Sequence, residues 1–108
     1  MPGGFAHPVE AELARVFDEL KIPWEYEPTT FVLERNPDGT VAEAFTPDFY
    51  LPEQDMYVEV TTMQQRLSWR KNRKLRKLRD QGVLVTVLYR RDFERLRERH
   101  GFPFDLAA

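Results

Sequence analysis

The 108-residue chain contains no cysteine. Disulfides and thiolate-held metals are thereby excluded, and a reducing cytoplasm suits such a composition. No apolar run is long enough to span a bilayer, and the first residues carry no secretory pattern. A membrane is therefore not an expected partner. The sequence also lacks repeats, low-complexity stretches and any linker-like segment. One domain is expected over residues 1–108, with its core at about 8–100, because a chain of this length supports one core and not two. The most informative lack is local: residues 66–79 hold 8 bases and no acid.

That basic stretch belongs to a wider asymmetry. The net charge is only -2, yet residues 1–59 carry 13 acids against 3 bases, and residues 60–108 carry 5 acids against 13 bases. An acidic cluster beside a basic face suits a metal site next to a phosphate backbone. The competing account is that the two halves attract each other inside the fold.

Val9, Leu13, Val16, Phe17 and Leu20 recur at helical spacing, so a helix is expected over 8–21, opened by Pro8 and stopped before Pro23. Residues 24–27 alternate aromatic and acid, as in a strand. A second strand is expected over 31–35, followed by a turn at Asn36-Pro37-Asp38-Gly39. The return strand starts at Val41 and continues through Pro47 and Asp48 toward Leu51. A turn over 52–55 leads into the strand 56–62. The basic helix 66–79 closes at Gln81-Gly82. The apolar run 83–89 reads as a strand buried on both faces. A final amphipathic helix runs over 90–100 and stops at Gly101, and Phe102 and Phe104 lie in a tail that either packs back or hangs loose. The expected order is helix, three strands in a meander, helix, strand, helix, an α/β domain with a mixed sheet.

The chain is organised around residues 45–62. Side chains alternate faces along a strand, so Met56, Val58 and Val60 share one face, and Tyr57, Glu59 and Thr61 the other. A carboxylate within a β-branched run is costly to bury alone. Either Glu59 faces water or it faces something positive. Asp48 and Glu59 are expected to meet across a hairpin and hold a divalent cation. The alternatives are local: Asp48 capping a turn, and Glu59 pairing with a base of the following helix.

On a helical wheel with Leu67 at zero, Leu78 falls at about 20°, Leu75 at about 80°, Lys71 at about 40° and Lys74 at about -20°. Two lysines thus sit inside the leucine stripe. Each must snorkel to water or meet a carboxylate. The outward bases repel one another at i, i+4 spacing, and such a face is either solvated or presented to phosphates. The nucleic-acid-contacting candidates are Arg66, Arg70, Arg73, Lys74, Arg76 and Lys77. Trp69 points away from the leucines, toward a base to stack on or a dimer contact. Gln64 and Gln65 are assigned to solvent, and His7 and His100 are given no role.

These residues carry a resemblance. The order helix, three strands, helix, strand, with Pro47-Asp48 on one strand and Glu59-Val60-Thr61 on the next, resembles the PD-(D/E)xK nuclease superfamily, in particular its small restriction-endonuclease-like and Holliday-junction-resolvase-like members. Glu10 followed by Ile22-Pro23-Trp24-Glu25-Tyr26-Glu27 is similar to the family's helix glutamate and first strand. Thr46-Pro47-Asp48-Phe49 is similar to its aspartate strand. The resemblance covers about residues 9–90 and implies a restriction-endonuclease-like αβββαβ(α) core, its mixed sheet flanked by helices.

What the resemblance implies chemically is Mg²⁺- or Mn²⁺-dependent phosphodiester hydrolysis in nucleic acid, DNA foremost. Asp48, Glu59 and the Val60 carbonyl would hold the metal, with Glu10 supporting a second ion or a water and Glu12 its substitute. The chain departs from the pattern at Thr61, where the family usually has lysine. Either a lysine has moved to the next helix, making Lys71 or Lys74 catalytic beside Asp48, Glu59 and Thr61, or the module binds nucleic acid or a partner protein through residues 66–79 without turnover. Symmetric action on two strands would call for a homodimer.

Overall fold

The computed structural model describes residues 4–62 and 67–101. Gln64, Gln65, Arg66 and the tail aromatics Phe102 and Phe104 lie outside the described residues.

Helix α1 (Pro8–Glu19) starts at the proline and buries Val9, Leu13, Val16 and Phe17 as one stripe. It ends two residues earlier than the periodicity suggests. Lys21 adopts a left-handed conformation, φ 59°, which breaks the helix ahead of Pro23. Strand β1 is only Glu25–Tyr26. Glu27 is also left-handed, φ 46°, and its N–H donates to the Asp48 carbonyl at 2.9 Å. The chain then turns away through Pro28.

Strands β2 (Phe31–Arg35) and β3 (Val41–Phe45) pair only with each other, as a separate two-stranded antiparallel sheet. This corrects the expected meander. The return strand does not run from Val41 to Leu51 but stops at Phe45. Chain pairing resumes in β4 (Phe49–Leu51), which lies in a different sheet. Pro47 has no N–H to give to a ladder, so the break falls where a proline would place it. Asp48 is therefore in the joint between the two sheets and not within a strand.

The main sheet has the order β1-β4-β5-β6, with β5 at Met56–Thr61 and β6 at Val85–Tyr89. β4 runs antiparallel to both β1 and β5, whereas β5 and β6 are parallel, joined by α2 (Trp69–Asp80). The sheet is mixed and the domain is α/β. Helix α3 (Asp92–Arg99) follows β6.

The alternation read from β5 sets which helices cover which face. Met56, Val58 and Val60 enter the larger core, with α1, with Phe93 and Leu96 of α3, and with Phe49, Leu51 and Leu88. Tyr57 lies on the opposite face with Leu75 and Leu78 of α2 and with Phe31, Leu33 and Phe45 of the hairpin. β6 contributes Leu88 to one core and Val85 to the other, as its continuous apolar run suggests. Helix α2 starts at Trp69, later than the basic run begins. The Ser68 hydroxyl accepts the Lys71 N–H at 3.0 Å and caps the helix there. Leu67 thus stands just outside the helix.

Phe49 centres the larger core. It is fully buried, and the rings of Phe17, Trp24 and Tyr26 each meet it at 5.6 Å, near edge-on. Truncation removes both its transfer energy and those contacts. Phe49→Ala should cost about 3–5 kcal/mol, read as a lower urea midpoint with unchanged dependence on denaturant.

Candidate functional site

Among the described residues, four polar side chains are buried in an otherwise apolar interior: Glu10, Asp48, Glu59 and Thr61. All four line one cleft of about 400 Å³. The fold brings them there from three directions. Glu10 stands in the first turn of α1. Asp48 immediately precedes β4. Glu59 and Thr61 sit two residues apart on β5, and so on the same side of the sheet, facing α2.

The joint at Asp48 is locked to β5 from both sides. The Val60 N–H donates to Asp48 Oδ2 at 2.9 Å, and the Asp48 N–H donates to Glu59 Oε1 at 3.2 Å. Each carboxylate thus takes a backbone donor from the other's segment. The remaining Glu59 oxygen, Oε2, meets Lys71 Nζ at 2.6 Å. The Glu59 side chain is 6% exposed and that of Lys71 is 31% exposed, so the ammonium bridges the buried acid and the open cleft. Lys71 also borders the cleft together with the capping residue Ser68. The positive end of α2 thereby lies against the acids.

The two lysines of the wheel part company here. Lys71 reaches the acid cluster, whereas Lys74 Nζ donates to the Ala44 carbonyl of the hairpin at 3.2 Å. Glu10 is also held differently from Asp48 and Glu59. Its Oε1 accepts the Tyr26 hydroxyl at 2.5 Å and the Ala6 N–H at 3.3 Å. Among the described residues no three His, Asp or Glu side chains gather into a ready-made metal cage. Carboxylates nevertheless dominate the cleft, with Asp48 and Glu59 side by side. A small, hard divalent ion suits that set, since Mg²⁺ commonly takes one or two carboxylates and keeps waters for the rest. Asp48, Glu59 and the Val60 carbonyl are the groups that would hold the ion implied by the sequence pattern.

Electrostatics set the cleft apart. Asp48 is pushed up to about 8, first by burial and then by the Glu59 charge beside it. Glu59 is also raised by burial, while Lys71 opposes the rise. Two adjacent carboxylates with one ammonium between them and solvent retain a proton near neutrality. Tyr26 is pushed well above the usual phenol range by burial and by its hydrogen bond to Glu10. It therefore stays a donor.

Sequence reasoning passed over several residues of this cleft. Glu27 and His7 line it, Glu27 because its left-handed turn folds the chain back on Asp48. Tyr26 orients Glu10. Ser68 is legible as a capping serine, which places the helix start at Trp69 and not at residue 66.

The basic helix spends much of its charge internally. Arg73 meets Glu43 at 3.0 Å and Glu34 at 3.7 Å, and Lys77 meets the same two acids at 2.9 Å each. The hairpin thus supplies the acids that residues 66–79 lack. Glu43 is held below the usual carboxylate range, chiefly by Lys77. Arg90 pairs with Glu12 at 3.1 Å and Arg97 with Glu19 at 3.0 Å. Part of the charge asymmetry is therefore internal attraction between the halves. Arg70 and Arg76 stay exposed, and neither has an ion pair among the described residues.

The raised carboxylates make stability depend on pH. Asp48 binds its proton more tightly in the folded state than at its ordinary value of 3.8. The associated stabilisation is complete below that pH and is lost as pH rises through about 8. Glu59 acts in the same sense. Between pH 5 and 8 the melting temperature of the wild type should fall, by on the order of a few kcal/mol in stability. Asp48→Asn, which keeps an acceptor for Val60 but cannot ionise, should flatten that slope. A scan of melting temperature against pH for both proteins checks this.

No protein-family model, curated protein or solved structure matches the chain.

Proposed function

We propose that the protein is a metal-dependent endonuclease of the PD-(D/E)xK type, hydrolysing phosphodiester bonds in nucleic acid, with DNA the foremost substrate. The observation that carries this reading is the 2.6 Å contact between Lys71 Nζ and Glu59 Oε2, beside Asp48. The chain has threonine where the resembling family has lysine, and an ammonium supplied by α2 stands at the same acid. That supports a moved lysine over a lost one. The α/β fold with its mixed sheet is compatible with a restriction-endonuclease-like core, and the extra hairpin β2–β3 would be this chain's own addition.

In this reading Asp48 and Glu59, with the Val60 carbonyl, would hold a divalent ion. Such an ion supplies positive charge to the phosphate and lowers the pKa of a bound water. The chain's own groups do the rest. The backbone N–H groups of Asp48 and Val60 fix the two carboxylates, so little reorganisation is needed during reaction. One N–H of Lys71 stays with Glu59 and the others are directed to a phosphate oxygen, where negative charge grows. Ser68 and the first turn of α2 add backbone donors to the same anion. The attacking water forms the new P–O bond as the P–O ester bond breaks, its proton passes to solvent, and the departing ester oxygen takes a proton from solvent.

The same contact supports a second reading. Lys71 neutralises Glu59 as a cation would, so the pair could be a purely structural replacement in a module that binds nucleic acid without cutting it. Cleavage separates the two. Linear, branched and single-stranded DNA and RNA should be offered with Mg²⁺ or Mn²⁺ to the wild type, Glu59→Ala, Lys71→Ala and Lys74→Ala. The nuclease reading expects cleavage that falls at least about a hundredfold in Glu59→Ala and Lys71→Ala and changes little in Lys74→Ala. Salt-sensitive binding by all four without cleavage would establish the binding module. Neither binding nor cleavage by the wild type would overturn both.

A further inference from the structure

Trp69 is the first residue of α2 and is 75% exposed, the most exposed large hydrophobic side chain described. The ring is not left to wander. The Arg73 guanidinium, one turn on, lies 5.9 Å from its centroid, in the range of a cation–π contact. Arg73 is itself held by Glu43 at 3.0 Å. One side of the indole is thus pinned through an arginine to the hairpin, and the rest faces solvent.

The surroundings of that bare ring are positive. At about 100° per residue, Arg73 lies about 40° and Arg76 about -20° around the helix from Trp69, with the buried Leu78 about 180° away. Trp69, Arg73 and Arg76 therefore share the outward face of α2. Glu34 and Glu43, the acids nearest this face, are already engaged by Arg73 and Lys77. Arg76 and Arg70 are exposed with no ion pair among the described residues. A flat apolar surface among uncompensated cations suits a ligand that is both aromatic and anionic. A nucleotide is such a ligand, whereas a second copy of this net-acidic chain would have to bring the same arginines together across the contact.

We infer that Trp69 is a stacking platform for an unpaired nucleobase, with Arg76 and Arg70 on the adjoining phosphates. The inference rests on the nucleic-acid reading of the cleft and narrows its substrate to one with a single-stranded segment. A paired base inside a duplex offers no free face to the indole, and an unpaired one does. Trp69 stands in the same turn of α2 as Lys71 but on the other side of the helix axis. The strand would thus pass around the N-terminal end of α2 between cleft and platform.

The test uses the intrinsic fluorescence of the full chain. Trp24 is the other of only 2 tryptophans, and Trp24→Phe keeps an aromatic ring against Phe49 while leaving Trp69 as the sole reporter. In EDTA, so that nothing is cut, this protein is titrated with a single strand and a duplex, each about a dozen nucleotides long. Single strand should quench Trp69 emission. Trp69→Ala should weaken single-strand binding about tenfold and duplex binding by less than about threefold, with Trp69→Phe between. Trp69 is exposed, so the variant is expected to fold, and an unchanged circular dichroism spectrum verifies it. Unchanged single-strand affinity in Trp69→Ala, or equal losses for both ligands, overturns the platform while leaving the cleft reading intact. A wild-type dimer that Trp69→Ala dissociates also overturns it, in favour of self-association. No binding of either nucleic acid by the wild type removes the platform and the nucleic-acid reading together.

Discussion

Two carboxylates that must share a buried corner with one ammonium are the constraint around which this domain is arranged. Asp48 and Glu59 are both largely withdrawn from water, burial pushes each toward its protonated form, and the Glu59 charge pushes Asp48 further the same way. A buried carboxylate paired with a half-buried ammonium is rarely the cheapest way to stabilise a fold, because desolvation offsets much of the attraction. An apolar pair at these positions would pack without such conflict. The fold instead supplies two backbone donors and a lysine to keep the acids in place. Strongly perturbed titrating groups in a cleft are more often found where chemistry is done than where a core is merely filled.

The arrangement follows from short-range features of the chain. Pro47 withholds an N–H and ends one sheet, and Asp48 is the first residue free to turn into the next. Glu27, in a left-handed conformation, ties β1 to the Asp48 carbonyl from the other side. On β5, period-two alternation alone puts Glu59 and Thr61 under α2 while Met56, Val58 and Val60 enter the larger core. The parallel crossover from β5 to β6 then makes the start of α2 pass close to the end of β5, where Lys71 can reach back.

Much of this was legible in the sequence because it is local. The stripe of α1, the alternation of β5, the two-sided burial of β6 and the convergence of Asp48 with Glu59 all rest on periodicity within one element or across one turn. What escaped was set by partners far along the chain. Nothing in residues 41–51 states that the first half pairs only backwards with β2, although Pro47 marks where the ladder fails. The helical wheel put both Lys71 and Lys74 inside the leucine stripe. It could not choose between them, because the choice depends on the hairpin, whose Ala44 carbonyl captures Lys74. Counting acids within residues 66–79 does not reach Glu34 and Glu43, which lie thirty or more positions from their partners Arg73 and Lys77 in sequence and adjacent in space. The alternation over 24–27 shows a strand, but not the turn after Tyr26 that brings the chain back to Asp48.

The hairpin thereby gives α2 three kinds of cation on three sides. Toward the sheet, Lys71 serves the buried acids. Toward the hairpin, Arg73, Lys74 and Lys77 are held by Glu43, Glu34 and a carbonyl. Toward solvent, Arg76 remains beside Trp69. The residue types suit this division. A lysine carries its charge at the tip of a slender stem, which can thread past Ser68 and the strand to one carboxylate oxygen with two N–H groups to spare. An arginine would bring a rigid planar fork that demands two acceptors in one plane, and the Glu59 oxygens are already divided between Asp48 and the cleft. On the hairpin side the reverse holds, since Arg73 both pairs with Glu43 and lies against an indole ring, which the flat guanidinium does better than an ammonium. The same helix can therefore hold a buried acid pair in register, anchor a second sheet and keep an aromatic ring presented to solvent, because each task falls to the cation whose shape meets it.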